Sequence, residues 1–338
     1  MSQAIPNKPP NCALSATWTI YRLFGVTLAT DFPFANRLAP ATGPVDLTFT
    51  CQLTAPLPRS LEQALASHSS SYRTDNGESV IFLYRLAECD VVRFTHIADY
   101  YLWPGRIVCH LFNPDYRYLV EIHLLGPVLS LWLELQGIPM LHAAAVAVNG
   151  HAVAFLSTNS AGKSTLAAAM VQAGYSLLTD DILPVEHCGD AFMGRPGYPQ
   201  MRLWPDEAQH FLGHYEDLEL VHPAYTKRRV PVGPDGFGSF CNASQPLACI
   251  YLPERHDVQE HGTRIEIVPV ARRDALMELV RHSFVAFIME QLGLQAQRLD
   301  LFAQMVQQVP MRRLVYPSGF EYLPLVREAI LADVAKLP

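Results

Sequence analysis

Three clusters of residues in this chain have the types and spacing that handle phosphate. Ser157-Thr158-Asn159-Ser160-Ala161-Gly162-Lys163-Ser164, followed by Thr165, fits the pattern G-x-x-x-x-G-K-[ST] except that a serine opens it. In such a loop, successive backbone N–H groups and a helix N-terminus wrap phosphate oxygens, which makes Ser160, Ala161, Gly162 and Thr165 candidate nucleotide contacts. Lys163 would carry a point charge to the β- and γ-phosphates, and the Ser164 hydroxyl would meet Mg2+. Downstream stands Asp180-Asp181. Adjoining carboxylates on an extended chain point to opposite sides, so one can hold Mg2+ while the other accepts the proton of an attacking hydroxyl. The third cluster is Lys227-Arg228-Arg229 in a long irregular segment. Arg228 is a candidate to clamp a triphosphate; a solvated turn or a contact for an acidic peptide is the other reading.

A bare Gly-Lys-[Ser/Thr] triplet arises by chance in roughly one sequence of this length in six, so its setting decides. "AVAV" leads into an Asn149-Gly150 turn, the two-residue hairpin signal, and "HAVAFLS" reads as a buried strand. "KSTLAAAMVQAG" reads as an alanine-rich helix ended by Gly174, and "YSLLTDDILPV" as the next strand. Strand, loop and helix are thus in the order a phosphate site needs, and in a parallel α/β sheet the Asp pair would face the same crevice. Ser157 replaces a glycine whose dihedrals cost other residues on the order of 1 kcal/mol, which bears on affinity and leaves the donors from Ser160 to Thr165 in place.

Before that region, "TWTIYRLFGVTLAT", "VDLTFTCQL", "DVVRFTH" and "RIVCHLF" alternate as half-buried strands, so the first 115 or so residues read as β-rich and antiparallel. At Tyr118 the period turns helical. The sequence therefore predicts a β-rich domain over 1–120, for recognition or assembly, and a phosphate-loop α/β domain over 121–338. Half of the 338 residues are hydrophobic, 17% are charged and the net charge is −7, which fits a compact chain and argues against a nucleic-acid surface. The longest apolar stretch is broken by glycines, prolines, Glu134 and His142, which argues against a membrane span. Seven scattered cysteines without a C-x-x-C pair suit a reducing compartment, and no basic-then-apolar leader opens the sequence, so a cytoplasmic location is expected.

The run "LHAAAVAVNGHAVAFLSTNSAGKSTLAAAMVQAGYSLLTDDILPV" resembles the catalytic domain of the bacterial HPr kinase/phosphorylase family. In that family a histidine precedes the strand-turn-strand, and the phosphate loop, helix, glycine and Asp-Asp follow. "GRPGYPQMRLWPD" and "VYPSGFEYLP" look closer to HPr-kinase-related proteins such as lasso-peptide kinases. The resemblance implies a fold like that of phosphoenolpyruvate carboxykinase, with a mixed sheet. It implies Lys163 and Ser164 at the nucleotide phosphates and metal, Asp180 as general base, Asp181 as the metal-linked carboxylate and His142 as the residue that orients the base. One departure stands out: Met193 occupies the place of a metal-assisting glutamate, while Arg195 is kept.

These readings lead to an ATP-dependent, Mg2+-dependent kinase acting on a hydroxyl, foremost a serine of a peptide or small protein, with a homo-oligomer open as its assembly. The alternative is a nucleotide-binding regulatory or scaffold protein whose catalysis has lapsed, as Ser157 and Met193 would suit. Asp180 favours the first, because a lapsed site has no need of a carboxylate there. A nucleotide-hydrolysing motor or switch is disfavoured for want of an arginine-finger pattern.

Overall fold

The computed structural model describes residues 18–55, 64, 66–69, 73–74, 76–157, 162–284 and 292–337. The chain divides into two compact units, Met1–Gln136 and Gly137–Pro338.

The strands of the first unit are β1 (Thr19–Leu23), β2 (Val26–Thr30), β3 (Ala39–Pro40), β4 (Leu47–Leu53), β5 (Ala66–Ser69), β6 (Ile81–Arg85), β7 (Asp90–Phe94), β8 (Ala98–Trp103) and β9 (Arg106–Leu111). They form one sheet in the order β3-β1-β2-β4-β9-β8-β7-β6-β5. The β-rich reading holds, but the sheet is not wholly antiparallel, because β4 pairs parallel with both β2 and β9. Parallel neighbours need a crossover rather than a tight turn; residues 31–46 supply one, and the excursion through β5–β8 supplies the other. Leu47 and Phe49 bury the alternating face, as the pattern demands, whereas Leu53 at the strand end is exposed.

Helices α1 (Arg117–His123) and α2 (Leu129–Leu135) follow, joined by a wider turn at Leu124–Val128. There Gly126 leaves helical dihedrals and Pro127 has no N–H to give. Buried Glu121 in α1 accepts hydrogen bonds from the Ala35 and Asn36 backbone and from the Asn36 side chain, tying helix to loop. This helical segment lies on the first unit's side of the division, where the sequence reading placed the boundary at 120. Pro114–Leu135 is long and apolar enough to cross a membrane by composition, yet 78% of its most apolar window is buried in the fold.

The second unit contains β10 (Met140–Leu141), β11 (Ala143–Val148), β12 (His151–Leu156), β13 (Ser176–Thr179), β14 (Leu183–Cys188), β15 (Ala191–Gly194), β16 (Gln200–Leu203), β17 (Arg228–Pro231), β18 (Ser239–Phe240), β19 (Gln245–His256), β20 (Glu266–Pro269) and β21 (Met311–Pro317). Its longer helices among the described residues are α3 (Lys163–Gln172), α4 (Pro205–Leu212), α5 (Arg272–Arg281), α6 (Gln295–Gln308) and α7 (Leu323–Val334). The main sheet runs β10-β14-β15-β19-β12-β11-β13-β18, with β21 on β19 and β20 on β21. It is mixed: β12–β19, β13–β18 and β19–β21 are parallel, while β11 is antiparallel to both of its neighbours.

Period-two alternation gives this sheet two apolar faces. Val146, Val153 and Phe155 pack with Leu166 of α3 and with Val326 and Ile330 of α7. Ala145, Ala154 and Leu156 pack with Leu279 of α5 and with Phe302 and Met305 of α6. The result is a sheet between helical layers, a mixed α/β architecture.

Candidate functional site

The hairpin at Asn149-Gly150 has positive φ at both residues, 50° and 80°, so β12 returns beside β11 in register from Ala143↔Leu156 to Val148↔His151. β13 pairs with the other edge of β11, Ala145 opposite Thr179. Because β11 runs antiparallel between β12 and β13, its start and their two ends share one edge of the sheet. His142 precedes β11, Ser157 follows β12 and Asp180 follows β13. Topology alone thus brings together three residues far apart in sequence.

Gly162, at φ 95°, caps α3. A Cβ there would stand 2.7 Å from the Tyr316 hydroxyl, so glycine answers both to the dihedral and to the space. Ser160 and Ala161, expected as phosphate contacts, lie outside the described residues. Apart from Ser164 and Gln172, α3 is buried all round, which suits its alanines. Lys163 reaches back to the end of β12, its Nζ donating to the Ser157 carbonyl at 2.8 Å. Burial lowers its pKa to about 8 against the pull of Asp181 and Asp180.

The expected strand 175–185 is two strands, because Asp181 sits at φ 74° and turns the chain. Aspartate tolerates that left-handed conformation, and the Thr179 hydroxyl closes the turn on the Ile182 carbonyl at 2.6 Å. The turn gives the two carboxylates different partners. Asp180 accepts the Ser164 hydroxyl at Oδ1 (2.8 Å) and the Arg202 backbone N–H at Oδ2 (2.8 Å). Asp181 accepts Arg202 Nη1 at Oδ2 (2.7 Å), and its Oδ1 lies 3.6 Å from His142 Nδ1. The resemblance had implied His142 beside the base Asp180; the structure sets it against Asp181.

Burial, then the charge of Asp181, raises the Asp180 carboxyl above its usual range, opposed by its two hydrogen bonds. Burial also pushes Asp181 upward, but Arg202, His142, Lys227 and Lys163 together outweigh it and hold Asp181 below that range. Asp180 is 7% exposed; Asp181 keeps a quarter of its side chain exposed and lines the cleft.

That cleft, about 530 Å3, opens over the start of α3 and is bounded by His142, Gly162, Lys163, Ser164, Thr165 and Asp181 on the sheet side. Its volume suits a small-molecule ligand. Across it stand Trp204 and Pro205–Glu207 at the head of α4, Thr226, Lys227 and Arg255. Glu207 joins the two sides: its carboxylate accepts the Thr165 hydroxyl and, at 2.9 Å, the Trp204 N–H. Lys227 Nζ lies 5.2 Å from the centroid of the Trp204 ring, a cation–π placement.

Arg228 is not brought to the cleft. Its Nη1 donates to the Leu218 carbonyl at 2.9 Å and its guanidinium faces the Tyr215 ring at the start of β17. Met193 lies on β15 opposite Glu186, and Arg195 bonds Glu186 through two nitrogens at 2.8 Å; neither Met193 nor Arg195 lines the cleft. Sequence reasoning missed Arg202, Trp204, Glu207 and Arg255. Only Glu207 left a signal, as the N3 residue of a helix begun by Trp204-Pro205.

The protein's own groups fit a Mg2+-nucleotide in kind. A hydroxyl and one or two carboxylates are what Mg2+ takes alongside phosphate oxygens and water, and Lys163 with Lys227 offers cations to phosphate. Among the described residues, no three His, Cys, Asp or Glu side chains converge as a closed metal cage.

No family model and no curated protein matches this chain. Among solved structures it is similar to the HPr(Ser) kinase/phosphatase from Coxiella burnetii, at 10% identity and a TM-score of 0.30, over 58% of this chain and 97% of that one.

Proposed function

We propose that the second unit is an ATP-dependent phosphotransferase that moves the γ-phosphate to a hydroxyl. The observation that carries this reading is the hydrogen bond between Ser164 and Asp180, at the edge where Lys163, Asp181 and His142 also meet. A serine or threonine hydroxyl bonded to a buried carboxylate just after a phosphate loop is a divalent-metal site in kind. Bound Mg2+ would neutralise charge on the phosphate oxygens.

Each residue then has a task that its surroundings suit. Lys163 and the α3 N-terminus hold the phosphates, and Ser164 with Asp180 faces the metal. Asp181 faces the cleft and, steadied by His142 and Arg202, accepts the hydrogen bond of the acceptor hydroxyl. Its lowered pKa keeps it ionised and makes it a weak base. In a loose phosphoryl transition state the hydroxyl proton leaves late, so orientation matters more than base strength. This division exchanges the tasks that the resemblance implied for Asp180 and Asp181. Lys227, rather than Arg228, supplies the cation from the outer wall.

A serine in a peptide or small protein as the acceptor rests on the resemblance of residues 141–185 to HPr kinases. The test is incubation with γ-labelled ATP, Mg2+ and serine-containing peptides, beside Lys163→Ala. Label on the peptide with wild type and none with the variant supports the reading; ATP binding by wild type without transfer to any hydroxyl acceptor overturns it.

A further inference from the structure

The first unit holds a separate piece of chemistry. Cys51 on β4 and Cys109 on β9 are register partners across two parallel strands. Directly paired residues project from the same face, and neighbouring strands lie about 4.8 Å apart, within the Cα separation of roughly 4.4 to 6.8 Å that a disulfide spans. Both cysteines are free thiols.

Their surroundings differ in a way that gives them different tasks. Cys109 is fully buried. Cys51 is half-buried, near the Arg117 guanidinium at the start of α1. The neighbouring Cys109 thiol, then the charge of Arg117, lowers the Cys51 pKa from the ordinary thiol value against the cost of burial. Cys109 moves the other way, through the neighbouring Cys51 thiol and its own burial. An accessible sulfur with thiolate character beside a buried thiol is the arrangement of an attacking and a resolving cysteine.

We propose that Cys51 and Cys109 form a reversible dithiol modification site whose oxidant is a hydroperoxide. The Cys51 sulfur attacks a peroxide oxygen; the O–O bond breaks, and Cys51 becomes a sulfenic acid as its proton and the departing hydroxide form water. The Cys109 sulfur then attacks the Cys51 sulfur; the S–O bond breaks, and hydroxide takes the Cys109 proton as a second water. Two thiols lose two electrons and one hydrogen peroxide becomes two waters. Access through Cys51 leaves the link open to thiol reductants.

The experiment treats the folded full chain with hydrogen peroxide, alkylates it under denaturing conditions and maps the peptides without reduction. The expected result is loss of two of the seven thiols, a linked peptide pair containing Cys51 and Cys109, and return of both thiols with dithiothreitol. Exposed Cys188 should remain largely alkylated at that stage. In Cys109→Ser, dimedone should label Cys51, because the sulfenic acid has no partner to resolve it. The proposal is overturned if the wild-type map shows Cys51 and Cys109 both alkylated after Cys188 has oxidised, or Cys51 driven to sulfinic acid beside a free Cys109. The wild-type map decides even if the variant does not fold.

Discussion

The Ser164 hydroxyl donates to Asp180 Oδ1 at 2.8 Å, joining the first turn of α3 to the end of β13 across sixteen positions of sequence. If this pair faces the metal, Ser164→Ala should cut phosphoryl transfer by about ten-fold or more and raise the Mg2+ concentration needed, because a metal-side oxygen is lost. Ser164→Thr keeps the hydroxyl and should retain most activity. Transfer rates across a Mg2+ titration check both.

Asp180→Asn should separate activity from stability. The asparagine can accept the Arg202 N–H with its oxygen and donate its amide to Ser164, so both hydrogen bonds survive. The change also removes a buried carboxylate that burial and Asp181 already disfavour as an ion. Transfer should fall by about a hundred-fold or more. The thermal midpoint without nucleotide should hold or rise, as calorimetry near neutral pH would show. A fall in midpoint would mean that the charge, rather than the hydrogen bonds, secures the turn.

Lys163 should give opposite pH trends for binding and folding. Its folded pKa, about 8, lies below the ordinary lysine value near 10.5. Between the two, the unfolded chain carries more protons than the folded one, so this group makes stability rise with pH across that window. Nucleotide binding needs the charged form and should weaken as pH rises through about 8, by up to roughly ten-fold per unit. Calorimetric titration at pH 7 and pH 9 measures binding, and Lys163→Met should flatten both trends.

Lys227 and Arg228 are neighbours whose loss should read differently. Lys227→Ala removes a cation from the cleft wall and should lower the transfer rate by about ten-fold or more with little change in melting. Arg228→Ala loses a bond to the Leu218 carbonyl and the Tyr215 contact, and should cost about 1 kcal/mol of stability while its purified folded form keeps its rate. Parallel kinetic and denaturant measurements distinguish the two.

Legibility in the sequence followed the range of the interaction. The turn at Asn149-Gly150 and helix α3 are set by nearby residues, through positive φ and helix-compatible alanines, and both lie where the sequence puts them. The β-rich character of the first unit was equally local, whereas the parallel placement of β4 between β2 and β9 depends on partners some twenty to sixty positions away. Arg202 and Arg255 carried no local mark, because each reaches the site only through the path of a distant strand.

By itself, the sequence determined a strand, loop and helix suited to phosphate, and a pair of carboxylates one helix downstream. Tertiary structure decided what those carboxylates face. A single left-handed residue, Asp181, breaks the expected strand and turns its side chain to His142 and Arg202, leaving Asp180 to Ser164. Side-chain direction alternates along a strand, so one turn or one residue of register exchanges partners; Lys227, just before β17, lines the cleft, while Arg228 bonds the Leu218 carbonyl away from it. Residue types fix which chemistry is within a chain's means, and strand pairing between distant segments fixes which atoms meet to do it.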